Sequence, residues 1–187
     1  VLALAPMGRR QLTPAEIAEA RLVFGPGLDY NRAYVAENAG WPDFIDRLGA
    51  RLQNRMRHKD EHNAVTLGST SYFPVTLNTA PDAVAGGNLR DMGWLVHELT
   101  HQWQYQRMGL RYLTAALGVQ IRLGRRAYDY RRDQPSLEAA LTSARTAGHK
   151  LTTFNPEQQG DIARDYYFRL KQGQDIAAGA PFIADFH

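Results

Sequence analysis

His97-Glu98-Leu99-Thr100-His101 sets two imidazoles and a carboxylate within one short stretch. On a helix, residues four apart lie one turn above each other, so both rings point the same way. Two neutral imidazole nitrogens at that spacing can close on one Zn²⁺. Glu98, beside the first ring, is placed for water rather than for the ion, as a general base requires. The plain alternative is a helix whose histidines merely pack or face solvent. The flanks weigh against it: Trp94-Leu95-Val96 precede the motif and Gln102-Trp103 follow it, so the segment is apolar and buried. Imidazoles and a carboxylate buried without partners are costly, and a metal supplies the partner.

The sequence contains no cysteine, which excludes disulfides, thiolate metal sites and cysteine nucleophiles. A metal must therefore be held by histidine and carboxylate. A catalytic zinc needs a third protein ligand and keeps a position open. The metzincin continuation is absent, because Gln104 and Arg107 stand where Gly and His would be needed. The best third ligand is Glu157 in Glu157-Gln158-Gln159-Gly160-Asp161. There Glu and Asp share one face of a helix start, so Asp161 can accept a hydrogen bond from a ligand histidine's other ring nitrogen. Acidic residues also favour helix N-termini for their own sake. Asp161 itself, His149, Asp129 and Glu138 are the rival third ligands. For a donor to a developing oxyanion, Tyr128, Tyr130 and His149 are candidates, each also readable as a packing or surface residue. His58 and His62 lie in a charged stretch and read as solvated.

Elements must position these groups. Thr13-Pro14 opens a first helix that Phe24-Gly25-Pro26-Gly27 stops. Leu28 to Glu37 reads as extended, and Pro42 to Met56 carries apolar residues at helical spacing. Ala64 to Pro74 is rich in β-formers, with Gly68 a bulge or bend, and holds one or two strands. Asn78 to Gly87 reads as a loop. The motif helix runs from about Asn88 or Asp91 to Met108, with Gly109 as its stop. Leu113 to Leu123 and Ser136 to Ala147 read as further helices. Asn155-Pro156-Glu157-Gln158 is a helix start with an Asn cap, running to about Lys171. Asp175 to His187 reads as irregular. The pattern is helix-rich α+β, in one domain over residues 1–187.

The H-E-x-x-H helix followed by an E-x-x-x-D helix resembles the gluzincin, thermolysin-like zinc peptidases. Leu67-Gly68-Ser69-Thr70-Ser71-Tyr72-Phe73 together with Leu95 to Gln104 resembles the DUF4157 (contractile-injection core domain) metallopeptidase group and VgrG-related proteins of type VI secretion. The resemblance implies a zincin-like fold whose edge strand, Ser69 to Phe73, lies beside the H-E-x-x-H helix and pairs with an extended peptide substrate. It also implies Zn²⁺, peptide-bond hydrolysis, and delivery into another cell as an antibacterial effector. Secretion-system components or an immunity protein would then be partners. A peptidoglycan amidase or endopeptidase is an alternative use of the same residues. A zinc-stabilised adaptor of a secretion apparatus is the non-enzymatic one.

Net charge is +3, and only three of the 22 basic residues are lysine. Arg107, Arg111, Arg122, Arg125, Arg126, Arg131 and Arg132 crowd one stretch, yet no nucleic-acid motif accompanies them, so a solvated face paired with Asp129 and Asp133 is expected rather than a nucleic-acid partner. No apolar run approaches the roughly 20 residues of a membrane span. Val1 to Pro6 is apolar but lacks a basic lead-in and does not read as an intact signal peptide. Synthesis in the bacterial cytoplasm, with any export by another route, is the corresponding expectation.

Overall fold

The computed structural model describes residues 8–39, 64–109, 130–131 and 134–187. The helices expected over Pro42–Met56 and Leu113–Leu123, together with His58, His62, Tyr128 and Asp129, lie outside the described residues.

Strand β1 (Arg9–Gln11) leads into helix α1 (Pro14–Phe24). Thr13 caps α1 with a reciprocal box, its side chain accepting from Glu16 N while the Glu16 carboxylate accepts from Thr13 N, which satisfies two orphan donors. Glu16 is fully buried and also binds Arg10 at 2.7 Å and the Thr79 hydroxyl at 2.7 Å. One carboxylate thus ties β1 to α1 and to the loop before the motif helix. The segment expected to be extended divides into a single 3-10 turn at Tyr30–Arg32 and strand β2 (Tyr34–Ala36).

Strands β3 (Val65–Leu67) and β4 (Thr70–Tyr72) form a hairpin around Gly68 and Ser69. Gly68 has φ +62° while Ser69 does not take a positive φ, the backbone of a II′ turn with glycine first. The sheet order is β1-β2-β4-β3, with β2 and β4 parallel and the outer pairs antiparallel. This corrects one expectation. The Ser69 to Phe73 strand is internal, hydrogen-bonded on both sides, and the outer strand beside the motif helix among the described residues is β3.

Helix α2 (Pro81–Ala85) occupies part of the stretch expected to be a loop, with Pro81 at its first turn. Helix α3 (Arg90–Met108) carries the motif and ends at Gly109, φ +60°. It packs on one side against β3 and β4 and on the other against helix α5 (Pro156–Lys171). Two glycines near the starts of these helices allow the approach. A Cβ on Gly93 would lie 2.2 Å from the Phe168 ring, and one on Gly160 would lie 2.7 Å from the His97 ring. Glycine inside a helix costs about 0.5–1 kcal/mol relative to alanine, and here the close crossing requires it twice.

Helix α4 (Leu137–Thr146), capped by Ser136, precedes α5. The tail expected to be irregular instead forms helix α6 (Ala180–Ile183) and a 3-10 turn through Phe186. Phe182, Ile183 and Phe186 are buried. Phe186 packs edge-on to Trp103 of α3 at 4.8 Å and to Phe24 of α1 at 5.0 Å, and its carbonyl accepts from the Trp103 indole. Three aromatics and one backbone acceptor fix a segment whose sequence lacks periodicity. Arg107, from the arginine-rich stretch, stacks over Trp103 at 4.6 Å and donates to the same carbonyl. The overall class is α+β, as expected, with the small mixed sheet lying against the motif helix. No helix among the described residues is long and apolar enough to cross a membrane.

Candidate metal centre

Because α3 is pressed between the sheet and α5, its polar residues divide between two faces. His97, His101 and Gln104 turn toward α5, while Glu98 and Gln102 turn toward the sheet. All are buried. The His97 and His101 rings stand 5.0 Å apart at 78°.

Glu157, in the first turn of α5, reaches both rings. Its Oε2 lies 3.4 Å from His97 Nε2 and 3.5 Å from His101 Nε2. Charge-assisted hydrogen bonds are usually shorter, about 2.7–2.9 Å. Donors about 2.0–2.1 Å from one tetrahedral zinc ion lie roughly 3.3 Å from each other, which is the spacing seen here.

The opposite ring nitrogens are also engaged. His97 Nδ1 lies 3.0 Å from Asp161 Oδ1, one turn beyond Glu157 on the same face of α5. Arg164 in turn holds that oxygen at 2.8 Å. His101 Nδ1 lies 2.9 Å from Gln104 Oε1. The orientation of the Gln104 amide follows from its other contacts: Nε2 donates to Pro156 O at 3.1 Å and to Gln159 Oε1 at 2.9 Å. A carbonyl only accepts, so the Gln104 nitrogen faces it and Oε1 faces the ring. His101 therefore donates from Nδ1, and in the neutral ring Nε2 presents a lone pair toward Glu157. Two acceptors turned toward one another call for a cation between them, either a proton or a metal.

The electrostatics agree. Burial pushes the His97 ring down, but Asp161 and Glu157 outweigh it and hold its pKa up to about 10. Burial likewise lowers His101, and Glu157 overcomes it to leave a raised value. Burial would raise the Glu157 carboxyl, yet the two rings hold it well below the usual carboxylate range. The donor set, two imidazoles and a carboxylate with oriented partners behind them, fits a divalent zinc-type ion.

Glu98 sits apart from this pairing, although its carboxylate, His97 and His101 offer ligand atoms within 4.8 Å of one another. Its Oε2 accepts from the Thr66 hydroxyl of β3 at 2.7 Å. Glu157 meets both rings, whereas one Glu98 oxygen is occupied by the sheet, so Glu157 has the better geometry for a third ligand.

The remaining candidates fall elsewhere. The Tyr130 hydroxyl donates to Asp165 Oδ2 at 2.9 Å, so it serves α5 one turn beyond Asp161. His149 is exposed after α4. Glu138 is paired with Arg169 on the surface. Several residues around the site escaped the sequence reading: Gln104, Gln159, Gly160, Arg164, Thr66 and Ser71. Gly160 alone carried a usable signal, since a glycine inside a strong helix marks close approach or bending. The glutamines have no signature that separates a buried amide from a solvated one.

No family model matches the chain, and no solved structure matches it, so the DUF4157 resemblance has no family match behind it. Among curated proteins, the chain is 28% identical over 176 residues to the type VI secretion system spike protein VgrG2b of Pseudomonas aeruginosa. That alignment covers 92% of this chain and 14% of the relative. The similarity is distant, and it concerns a small part of a much larger type VI spike protein.

Proposed function

We propose that this chain is a zinc-dependent peptide hydrolase domain that works in association with a type VI-type secretion apparatus. The observation that carries the reading is the convergence of His97 Nε2, His101 Nε2 and Glu157 Oε2 at 3.4–3.5 Å, with a Glu98 carboxylate oxygen within 4.8 Å of ligand atoms of the two rings. These three side chains would hold the ion, and Asp161 and Gln104 orient the rings. Zinc at such a centre supplies Lewis-acid chemistry, making water acidic near neutral pH and polarising a carbonyl. Glu98 receives the proton from attacking water on the oxygen not engaged by Thr66, and later passes it to the leaving amine. A structural metal site has no use for such a base, which favours turnover over a purely stabilising role. The similarity to part of a type VI spike protein favours secretion association.

The test uses zinc-loaded protein, a panel of unfolded proteins, and purified sacculi. Glu98→Gln is expected to retain zinc and lose hydrolysis, and His97→Ala to lose the metal. Cleavage of sacculi but not of protein chains would shift the substrate class to peptidoglycan stem peptides. A fully active Glu98→Gln protein would refute the assignment of the base.

A further inference from the structure

We infer that Gln102, Ser71 and Thr66 form a one-way chain of hydrogen-bond donors that fixes the Glu98 carboxylate, making Thr66 a positioning residue for the hydrolysis proposed above. The inference rests on that reading for its role and on geometry for its existence. Gln102 lies one turn after Glu98 on the sheet-facing side of α3. Its Nε2 donates to Tyr34 O of β2 at 2.9 Å and to Ser71 Oγ of β4 at 2.7 Å. Tyr34 O is a carbonyl and can only accept, so the amide cannot be turned round without setting oxygen against oxygen.

The direction of every later link follows. Ser71 Oγ receives the second amide hydrogen, so its own proton goes to Thr66 Oγ1, 2.7 Å away. Thr66 then has its proton free for Glu98 Oε2, also at 2.7 Å, with the Glu98 backbone carbonyl a longer second acceptor at 3.3 Å. Ser71 and Thr66 are register partners of the β3–β4 hairpin, so their side chains stand on one face of the sheet, the face that meets α3. Gln102 and Ser71 are fully buried and Thr66 is 5% exposed, so water does not compete. The amide keeps this orientation although Gln102 Oε1 is buried without a partner among the described residues. Glu98 Oε1 accepts from no described side chain. The chain thus occupies one carboxylate oxygen, in a carboxylate that has an oxygen within 4.8 Å of ligand atoms of both rings.

The experiment pairs kinetics of the zinc-loaded full chain with proton NMR of the zinc-free protein. Thr66→Val keeps the shape and removes the donor. It is expected to retain zinc and KM while kcat falls about 10- to 100-fold, the cost of a misplaced reacting group. Thr66→Ser, which restores the donor, should recover most of the loss. Ser71→Ala removes the preceding link and should give a smaller loss of the same kind, which serves if the valine variant does not fold. In the zinc-free protein a slowly exchanging Thr66 hydroxyl proton should be visible, and it should shift or vanish in Glu98→Ala. Full kcat in Thr66→Val, serine failing to rescue, or no protected hydroxyl proton overturns the inference while leaving the hydrolase reading intact. Absence of turnover in the unmodified protein removes the hydrolase reading and the positioning role together, even if the protected proton is present.

Discussion

His101 Nδ1 donates to Gln104 Oε1 at 2.9 Å, and the Gln104 amide nitrogen is anchored on the Pro156 carbonyl that opens α5. One side chain of α3 thus reads the position of the helix that carries Glu157 and sets the tautomer of a ring that faces it. Gln104→Leu keeps the volume and removes both functions. Zinc affinity is expected to fall about 10- to 100-fold, the usual cost of losing an oriented partner behind a ligand, with the fold retained. Competition against a chromophoric chelator measures it, and unchanged affinity would contradict the assigned tautomer.

Gly160 brings the backbone of α5 against the first ring. Alanine there is the better helix former by up to about 1 kcal/mol, but its Cβ would meet the His97 ring at 2.7–2.9 Å. Gly160→Ala is expected to keep helical content and lose most zinc affinity. Gly93→Ala, whose clash is with Phe168, should instead lower stability with a much smaller effect on zinc. Equal zinc losses in both variants would remove the distinction between site and seam.

Zinc uptake should release protons. Without an ion, His97 holds its proton up to about pH 10, and His101 is also raised. Glu157 is held low and contributes none at neutral pH. A metal needs the deprotonated rings, so affinity rises as pH rises through the neutral range. Calorimetry in buffers of different ionisation enthalpy reads the protons directly. An affinity that stays flat between about pH 6 and 8 would mean that the rings are already neutral.

The C-terminal segment contributes to stability through Phe186. Removing a fully buried phenylalanine costs about 3–5 kcal/mol, and Phe186 is fully buried against Trp103 and Phe24. Phe186→Ala should lower the urea midpoint strongly while zinc stoichiometry stays unchanged in the folded fraction. A loss of unfolding free energy of less than about 1 kcal/mol would show that the segment is only loosely docked.

The sequence displayed the parts of this arrangement that depend on local rules. Thr13-Pro14 and Asn155-Pro156 announced α1 and α5 because caps act over a few residues. His97 and His101 announced a shared face because helical spacing is fixed. Strand order was not legible: the β-formers from Ala64 to Pro74 show that strands exist, but whether β4 is internal depends on β2, which pairs with it from far away in sequence. The tail was missed for the same reason, since Phe182 and Phe186 gain their structure from α1 and α3 rather than from their neighbours. Around the site, Glu157 was reachable through its helix-start pattern. Thr66, Ser71 and Gln104 were not, because their roles exist only once three elements meet.

The division of α3 into two polar faces has a consequence for anyone wishing to transplant or redesign this centre. Its rings are keyed to α5 and its carboxylate to the hairpin, so turning the helix by a single residue, about 100°, would unseat both sets together. The motif is therefore not a portable pentapeptide. What would have to be moved is a three-layer sandwich of strand, helix and helix, with the glycines that let the layers close.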